Sequence, residues 1–101
     1  TRIAAVNRTM PPEHAYGEYI GVARFTPSAA TKLRDYYEDA KSKHTNGPFQ
    51  GAKTFRKAYL IDLFQYMIEL GEEFHALPTH GGYMEIDTNQ DFRIAREEWS
   101  I

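Results

Sequence analysis

The sequence predicts an α/β fold in which helices pack against a small sheet. Three observations support this: apolar segments rich in β-branched and aromatic residues, other segments with apolar residues at helical spacing, and Gly, Pro and Asn between them. With 101 residues and 42% hydrophobic residues, the chain has room for one small domain, because two cores of half this size would each be too small to hold. The predicted order is strand, helix, helix, strand, short strand, helix.

The first predicted elements are a strand end and a complete strand. The strand end covers residues 3–6 and is followed by Pro11 and Pro12, which are compatible with neither a helix interior nor a central strand. The complete strand covers residues 16–25, where both faces carry apolar side chains. Such a strand is expected to be covered on both sides.

Two long helices follow. Thr26 is an N-cap residue and Pro27 suits the first helical position, which predicts an amphipathic helix over residues 27 to about 44. After a loop over residues 48–53, a second helix is predicted from about 54 to 70, ending before Gly71. Its apolar side chains cover more than half of its circumference, so we expect it to be buried against a sheet.

The last predicted elements are a strand over residues 73–79, a short extended piece over residues 83–86, and a helix. Thr88 and Asp91 stand at the N-cap and N3 positions of this helix, where they can cap each other. Two or three strands make a poor sheet for helices this apolar. We therefore expect the strand edges to be covered by another polypeptide, with a dimer through these edges as one form.

Charge and composition exclude several classes of protein. The absence of cysteine excludes disulfide scaffolds, thiolate metal sites and cysteine nucleophiles, and makes a reducing cytoplasmic compartment the default. The longest uncharged apolar stretch falls far short of a membrane span, and the start of the chain does not resemble a signal peptide. The basic residues are too scattered for a nucleic-acid footprint. We therefore expect neither membrane nor nucleic acid as a partner.

The formal net charge of −2 is unevenly distributed. Residues 1–57 carry 10 Lys and Arg against 5 Asp and Glu, a balance of +5, whereas residues 58–101 carry 2 against 9, a balance of −7. A basic half can attract phosphate and an acidic half can hold a divalent cation. Alternatively, both halves simply expose solvated charges.

The best candidate metal site is formed by Glu85 and Asp87, which follow a glycine pair and directly precede a helix. In an extended segment, residues i and i+2 point to the same face, so both carboxylates can reach one Mg²⁺ ion, which prefers carboxylate oxygens. The adjacent helix N-terminus would suit a phosphate on that metal. The alternative is that Asp87 caps the helix and Glu85 is solvated.

Glu18 is a candidate for substrate binding because it lies between Gly17 and Tyr19 inside an apolar run. Where glycine lets the backbone approach a ligand closely, such a carboxylate can accept hydrogen bonds or attract a cationic group. The alternative is that Glu18 lies near a strand end and reaches water. Tyrosine rings near Glu18 could form an aromatic wall for a quaternary ammonium group.

Three stretches in this order resemble the C-terminal portion of the nucleotidyltransferase family: GEYIGVARF (residues 17–25), KAYLIDL (57–63) and GYMEIDTNQDF (82–92). The last stretch is the most specific. The chain is most similar to phosphocholine-type cytidylyltransferases and to the nucleotidyltransferase modules that accompany phosphoenolpyruvate mutase in phosphonate biosynthesis. The resemblance implies that residues 1–101 are a single partial domain, the C-terminal half of a Rossmann-like nucleotidyltransferase domain with an incomplete sheet.

The resemblance also implies roles for individual residues. Asp87 matches a Mg²⁺ carboxylate of the family, and Glu85 is its helper or alternative. Glu18 matches a stretch that lines the acceptor pocket, with Tyr19 and Tyr83 as neighbouring wall residues. Asp62 matches a family position to which we assign no role.

The implied reaction is attack by an acceptor phosphate or phosphonate oxygen on the α-phosphorus of an NTP, in particular CTP, with release of pyrophosphate. The family's Gly-rich nucleotide loop and its first metal-binding Asp have no equivalent in these residues, so we expect this chain alone to be inactive. The sequence begins at Thr1 rather than Met, and we expect further residues upstream. Two alternatives remain: a small interaction module without chemistry, and a piece of a bifunctional mutase and nucleotidyltransferase.

Overall fold

The structure is a computed structural model that describes residues 1–99, and it is helical. It contains α1 (Pro27–His44), α2 (Leu60–Glu69) and α3 (Asn89–Trp99), with short 3-10 turns at Pro12–His14 and Phe55–Lys57. Helix accounts for 45% of the chain and β-bridge residues for 4%, and residues 1–99 contain no sheet. The predicted α/β fold, the C-terminal half of a Rossmann-like domain, is therefore wrong for this structure.

The three predicted strands do not form. Residues 16–25 and 83–86 pair with no other segment within residues 1–99, and the predicted strand over 73–79 contributes only one antiparallel bridge, between Arg2 and His75. A strand needs a neighbour for its N–H and C=O groups. Gly21 adopts φ +91°, which interrupts the extended backbone of residues 16–25. Pro78 has no N–H, so it cannot donate a ladder hydrogen bond from residues 73–79. The dimer predicted through strand edges stays a prediction, and residues 1–99 offer no such edge.

Helix α1 has the predicted boundaries. The Thr26 hydroxyl accepts a hydrogen bond from the Ala29 N–H at 3.1 Å, and Pro27 is the first helical residue. Along the buried side of the helix, Leu33, Tyr36 and Ala40 contact the core. Capping and hydrophobic periodicity agree here, so local sequence determines the element.

Helix α2 begins later than the sequence predicts, at Leu60 rather than near residue 54. Ala58 and Tyr59 are extended, and the Asp62 carboxylate accepts a hydrogen bond from the Tyr59 N–H at 2.8 Å, which caps the first turn. The predicted end is confirmed, because Gly71 has φ +101° and its N–H donates to the Ile68 carbonyl at 3.0 Å. The Glu72 N–H donates to the carbonyl of Met67 at 3.0 Å, completing a Schellman motif.

The core lies between α1, α2 and the segment that joins them. Its most buried large side chain is Phe49, which lies in the predicted loop and is 2% exposed. The Phe49 ring packs 5.2 Å from the ring of Phe55 and 5.3 Å from those of Tyr66 and His44. The helices are also joined by polar contacts, since the Tyr66 hydroxyl donates to Asp39 at 2.6 Å.

Much of the molecule lies outside this core. The accessible surface is 8245 Å², roughly 40% more than is usual for a folded monomer of this mass. The radius of gyration is 16.3 Å, against about 13 Å for a compact domain of this length. Val22 and Leu77, in the predicted strands, are 75% and 89% exposed. The surface that a sheet would have covered is therefore open.

Candidate functional site

The Tyr83 hydroxyl lies at the centre of the candidate site. It donates a hydrogen bond to Glu85 Oε1 at 2.7 Å and makes a longer contact of 3.5 Å with the carbonyl oxygen of Ile20. The second contact joins positions 63 residues apart, so it brings the segment around Glu18 beside the segment that holds Glu85 and Asp87. No sheet is needed for this convergence.

The electrostatics of the site follow from its carboxylates. The hydrogen bond to Glu85, followed by partial desolvation and by the charges of Glu85, Glu18 and Asp87, raises the pKa of Tyr83 to about 12. The phenol therefore stays protonated through the physiological range and acts as a hydrogen-bond donor. The charges of Glu18 and Asp87 act on this phenol in addition to that of Glu85.

The other local contacts orient the chain at this point. Asp91 Oδ2 accepts hydrogen bonds from the N–H groups of Asp87 and Thr88 at 3.1 and 3.2 Å, and the Thr88 hydroxyl accepts from the Asp91 N–H at 3.0 Å. The predicted reciprocal cap of the last helix is thus confirmed. Asp91, not Asp87, caps the helix through its side chain, which leaves the Asp87 carboxylate outside the cap.

The five sequence-predicted site residues are not all placed alike. Tyr83 and Glu85 are in direct contact, and the charges of Glu18 and Asp87 act on the Tyr83 phenol. Tyr19 packs edge to face on Phe64 of α2, with ring centroids 5.9 Å apart, and is 40% exposed. Its ring thus contacts α2, where it fixes the segment that carries Glu18.

The donor set fits a magnesium ion only in part. In the described portion of the chain, residues 1–99, no group of three or more His, Asp or Glu side chains is placed to hold a metal ion. Magnesium usually takes one or two protein carboxylates and completes its shell with water and substrate phosphates. Glu85 and Asp87 supply hard oxygen ligands of that number, so their chemistry fits an ion shared with a phosphorylated substrate.

A cavity of about 160 Å³ lies beside the start of α2. Here the Arg8 guanidinium lies 3.4 Å from Asp62 Oδ2 and 4.0 Å from the centre of the Tyr59 ring, forming a cation–π contact. Asp62 is only 5% exposed, so pairing with Arg8 and with the Tyr59 N–H offsets its desolvation. The only sign of this pair in the sequence is the acidic residue Asp62 within an apolar helix, and the sequence does not identify Arg8 as its partner.

Comparison of the sequence with protein-family models, with curated proteins and with solved structures found no match. The resemblance to nucleotidyltransferases therefore rests on the three sequence stretches alone. Among residues 1–99, none of the helices has the length and apolar character needed to cross a membrane.

Proposed function

We propose that this chain contributes the acceptor-binding and metal-binding side of a Mg²⁺-dependent nucleotidyltransferase site. The reaction transfers CMP, or another NMP, from an NTP to a small phosphate or phosphonate acceptor. The observation that carries the proposal is the position of the Tyr83 hydroxyl between Glu85 Oε1 and the Ile20 carbonyl. This contact unites the first and last of the three stretches that carry the resemblance, although the fold that the resemblance implies does not form.

The roles of the residues follow from their chemistry. The Tyr83 hydroxyl donates a hydrogen bond to Glu85 and so orients that carboxylate, and its raised pKa keeps it a donor at working pH. Glu85 and Asp87 would hold the metal ion, and Glu18 would accept hydrogen bonds from the acceptor or attract its cationic end. When bound, Mg²⁺ neutralises negative charge on the reacting phosphates.

The proposed reaction is a direct displacement that needs no covalent enzyme intermediate. An acceptor oxygen attacks the α-phosphorus of the NTP, the new P–O bond forms, and the bond to the bridging oxygen breaks with release of pyrophosphate. Such a transfer depends mainly on positioning and charge stabilisation. These 101 residues contain no Gly-rich loop with Arg or Lys for the nucleotide, so the chain alone is expected to show no transfer.

Binding of Mn²⁺, a paramagnetic substitute for Mg²⁺, tests the metal assignment. In a ¹H–¹⁵N spectrum of the chain, substoichiometric Mn²⁺ should broaden the resonances of residues 83–87 and of Glu18 before others. Asp87→Ala should abolish this pattern, and Tyr83→Phe should weaken Mn²⁺ binding by about tenfold because Glu85 loses its orienting donor. Glu13→Gln, which removes an exposed acid elsewhere, is the matched control.

Two outcomes would contradict the proposal. Uniform broadening of all resonances, unchanged by Asp87→Ala, would show that Glu85 and Asp87 do not form a metal site. CTP-dependent release of pyrophosphate by this chain alone, with phosphocholine and Mg²⁺, would show that it is not one side of a shared site.

A further inference from the structure

The cavity beside the start of α2 contains charged groups that the nucleotidyltransferase proposal does not use. Its volume is about 160 Å³. A cavity of ~150 Å³ admits a molecule the size of benzene. The cavity is lined by residues 6–9, by Gln50 and Gly51, and by Asp62 and Gln65 of α2. Three segments that are distant in sequence therefore border a space large enough for a small ligand.

Asp62 is the buried acid of this cavity, and it is 5% exposed. Its carboxylate accepts hydrogen bonds from the Tyr59 N–H at 2.8 Å and from Arg8 Nη2 at 3.4 Å, both on Oδ2. Within residues 1–99, no fully buried side-chain N or O atom lacks a hydrogen-bond partner. Because Oδ1 accepts no hydrogen bond there, it is not fully enclosed and is reached through the cavity that Asp62 lines.

Arg8 also has hydrogen-bonding capacity to spare. A guanidinium group carries five N–H donors. The contact that Arg8 makes with Asp62, at 3.4 Å, is longer than the roughly 2.7–2.9 Å of a tight charge-assisted hydrogen bond. The Tyr59 ring holds the guanidinium in place, with its centre 4.0 Å away. The two charges therefore lie side by side, and each can bind a ligand group without separation of the pair.

Gln50 has a backbone conformation that favours glycine. With φ +52°, it is the one residue other than glycine with a positive φ in the described part of the chain. It lies in a two-residue turn, since Phe49 and Ala52 exchange backbone hydrogen bonds at 3.1 and 2.9 Å. Strained residues of this kind cluster at ligand sites, and here the strained residue lines the cavity.

A carboxylate outside the lining holds both glutamines of the cavity. Glu69 Oε2 accepts a hydrogen bond from Gln65 Nε2 at 2.9 Å, and Glu69 Oε1 lies 3.4 Å from Gln50 Nε2. The Gln65 side-chain oxygen accepts a hydrogen bond from the Val6 N–H at 2.8 Å. The side-chain oxygen of Gln50 therefore remains as an acceptor for a ligand.

The charges of the lining select the class of ligand. Arg8 and Asp62 are the two charged residues that line the cavity, and their charges cancel. A ligand with a single charge would meet the like charge of this pair, whereas a ligand with one anionic and one cationic group matches both. Because Nη2 and Oδ2 lie 3.4 Å apart, the two ligand groups must be close neighbours. The carboxylate and ammonium of an α-amino acid, which share one carbon, satisfy this condition.

We propose that this cavity binds a small α-amino acid of the size of glycine or alanine. Its carboxylate accepts hydrogen bonds from Arg8, and its ammonium group donates to Asp62 Oδ1 and to the Gln50 side-chain oxygen. The methyl group of alanine contacts Val6. The inference does not depend on the nucleotidyltransferase proposal, because none of these residues belongs to the site around Tyr83.

Titration of the chain with L-alanine, followed in ¹H–¹⁵N spectra, tests the proposal. The amide resonances of residues 6–9, 50, 51 and 62 should shift and saturate. Alanine methyl ester lacks the carboxylate charge and N-acetylalanine lacks the ammonium charge. Each leaves one charge of the pair without its ligand group, so each should bind about tenfold or more weakly. L-Phenylalanine keeps both charges but exceeds the cavity, so it should also bind about tenfold or more weakly.

Gln50→Gly separates a ligand-binding role from a purely structural one. Glycine tolerates φ +52°, so this variant should unfold at a higher urea concentration than the unmodified chain. Loss of the amide should at the same time weaken alanine binding by about threefold or more.

Two further variants complete the test. Arg8→Lys keeps the positive charge but loses the planar fork, and it should weaken alanine binding by about tenfold. Lys53→Gln, which lies close to the turn but outside the lining, is the matched control and should leave affinity unchanged. Circular dichroism verifies that each variant keeps its helices.

Three results would overturn the proposal. Absence of saturable shifts at residues 6–9, 50 and 62 would mean that the cavity binds water alone and that Arg8 and Asp62 form a structural ion pair. Equal binding of alanine, its methyl ester and N-acetylalanine would mean that the two charges do not select the ligand. Alanine binding that Gln50→Gly and Arg8→Lys both leave unchanged would place the ligand elsewhere on the protein.

Discussion

Replacing Phe49 by alanine is the most direct test of the helical core. The side chain is 2% exposed and its ring contacts three aromatic rings, those of His44, Phe55 and Tyr66, at centroid distances of 5.2 to 5.3 Å. Phe→Ala at such a site costs about 3–5 kcal/mol, from lost transfer energy and the cavity left behind. A domain of this length has a total stability of about 5–15 kcal/mol, so Phe49→Ala removes a large share of it.

The assay is urea denaturation followed by far-UV circular dichroism, which reports α1 and α2. With a slope of about 2 kcal/mol per molar urea, a loss of about 4 kcal/mol lowers the midpoint by about 2 M. If the variant is unfolded without denaturant, Phe49→Leu provides a milder version with an expected cost of about 1–2 kcal/mol.

Val22→Ala is the control, because the helical fold and the α/β fold predicted from the sequence lead to opposite results for it. In the helical structure Val22 is 75% exposed, so its truncation should change stability by less than about 0.5 kcal/mol. In an α/β fold, Val22 would lie in a covered strand and Phe49 in a loop. A costly Val22→Ala with a neutral Phe49→Ala would refute the helical core.

Three further changes test individual contacts. Glu85→Gln should lower the pKa of Tyr83 from about 12 toward 10, seen by ultraviolet titration of the phenols, and an unchanged titration would contradict the hydrogen bond. Tyr66→Phe should cost about 1 kcal/mol, because Asp39 loses its donor. That hydrogen bond raises the pKa of Tyr66 to about 12. The bond therefore contributes fully to stability below about pH 10, and its contribution disappears as the pH rises through about 12. A cost of Tyr66→Phe that persists above about pH 12 would contradict this hydrogen bond. Thr26→Ala should cost about 1 kcal/mol in urea denaturation through loss of the α1 cap, whereas no loss would mean that water replaces it.

Local sequence determined the helix boundaries where capping residues were present. Thr26 with Pro27 located the start of α1, Gly71 located the end of α2, and Thr88 with Asp91 located the start of α3. Each of these signals acts through a hydrogen bond or a backbone angle within a few residues. They could therefore be interpreted without knowledge of the tertiary fold.

The strands could not be predicted in this way, because their formation depends on distant partners. Residues 16–25 have strand-forming composition, yet no segment of the described chain pairs with them. Their aromatic residues still find the core: the Phe25 ring lies 5.9 Å from that of Phe64 and 6.3 Å from that of Phe74. Tyr16 of the same segment is 70% exposed, so composition predicted neither the backbone pairing nor the burial of every ring.

The candidate site shows the same division. The carboxylates of Glu85 and Asp87 were found from their spacing, and Glu18 from its glycine neighbour. The hydroxyl of Tyr83 that joins them depends on a contact with residue 20, which spacing does not reveal. The pair of Arg8 and Asp62 was missed for a similar reason, since its partners are 54 residues apart.

The separation of α3 from the other helices has a consequence for cooperativity. A helix that shares no packing with the core can open without breaking the contacts around Phe49, so its free energy of opening is lower than that of α1 and α2. Unfolding is then not a single transition, and Trp99 fluorescence should lose its native signal before circular dichroism does. A ligand that bound only at α3 would raise the first transition and leave the second in place.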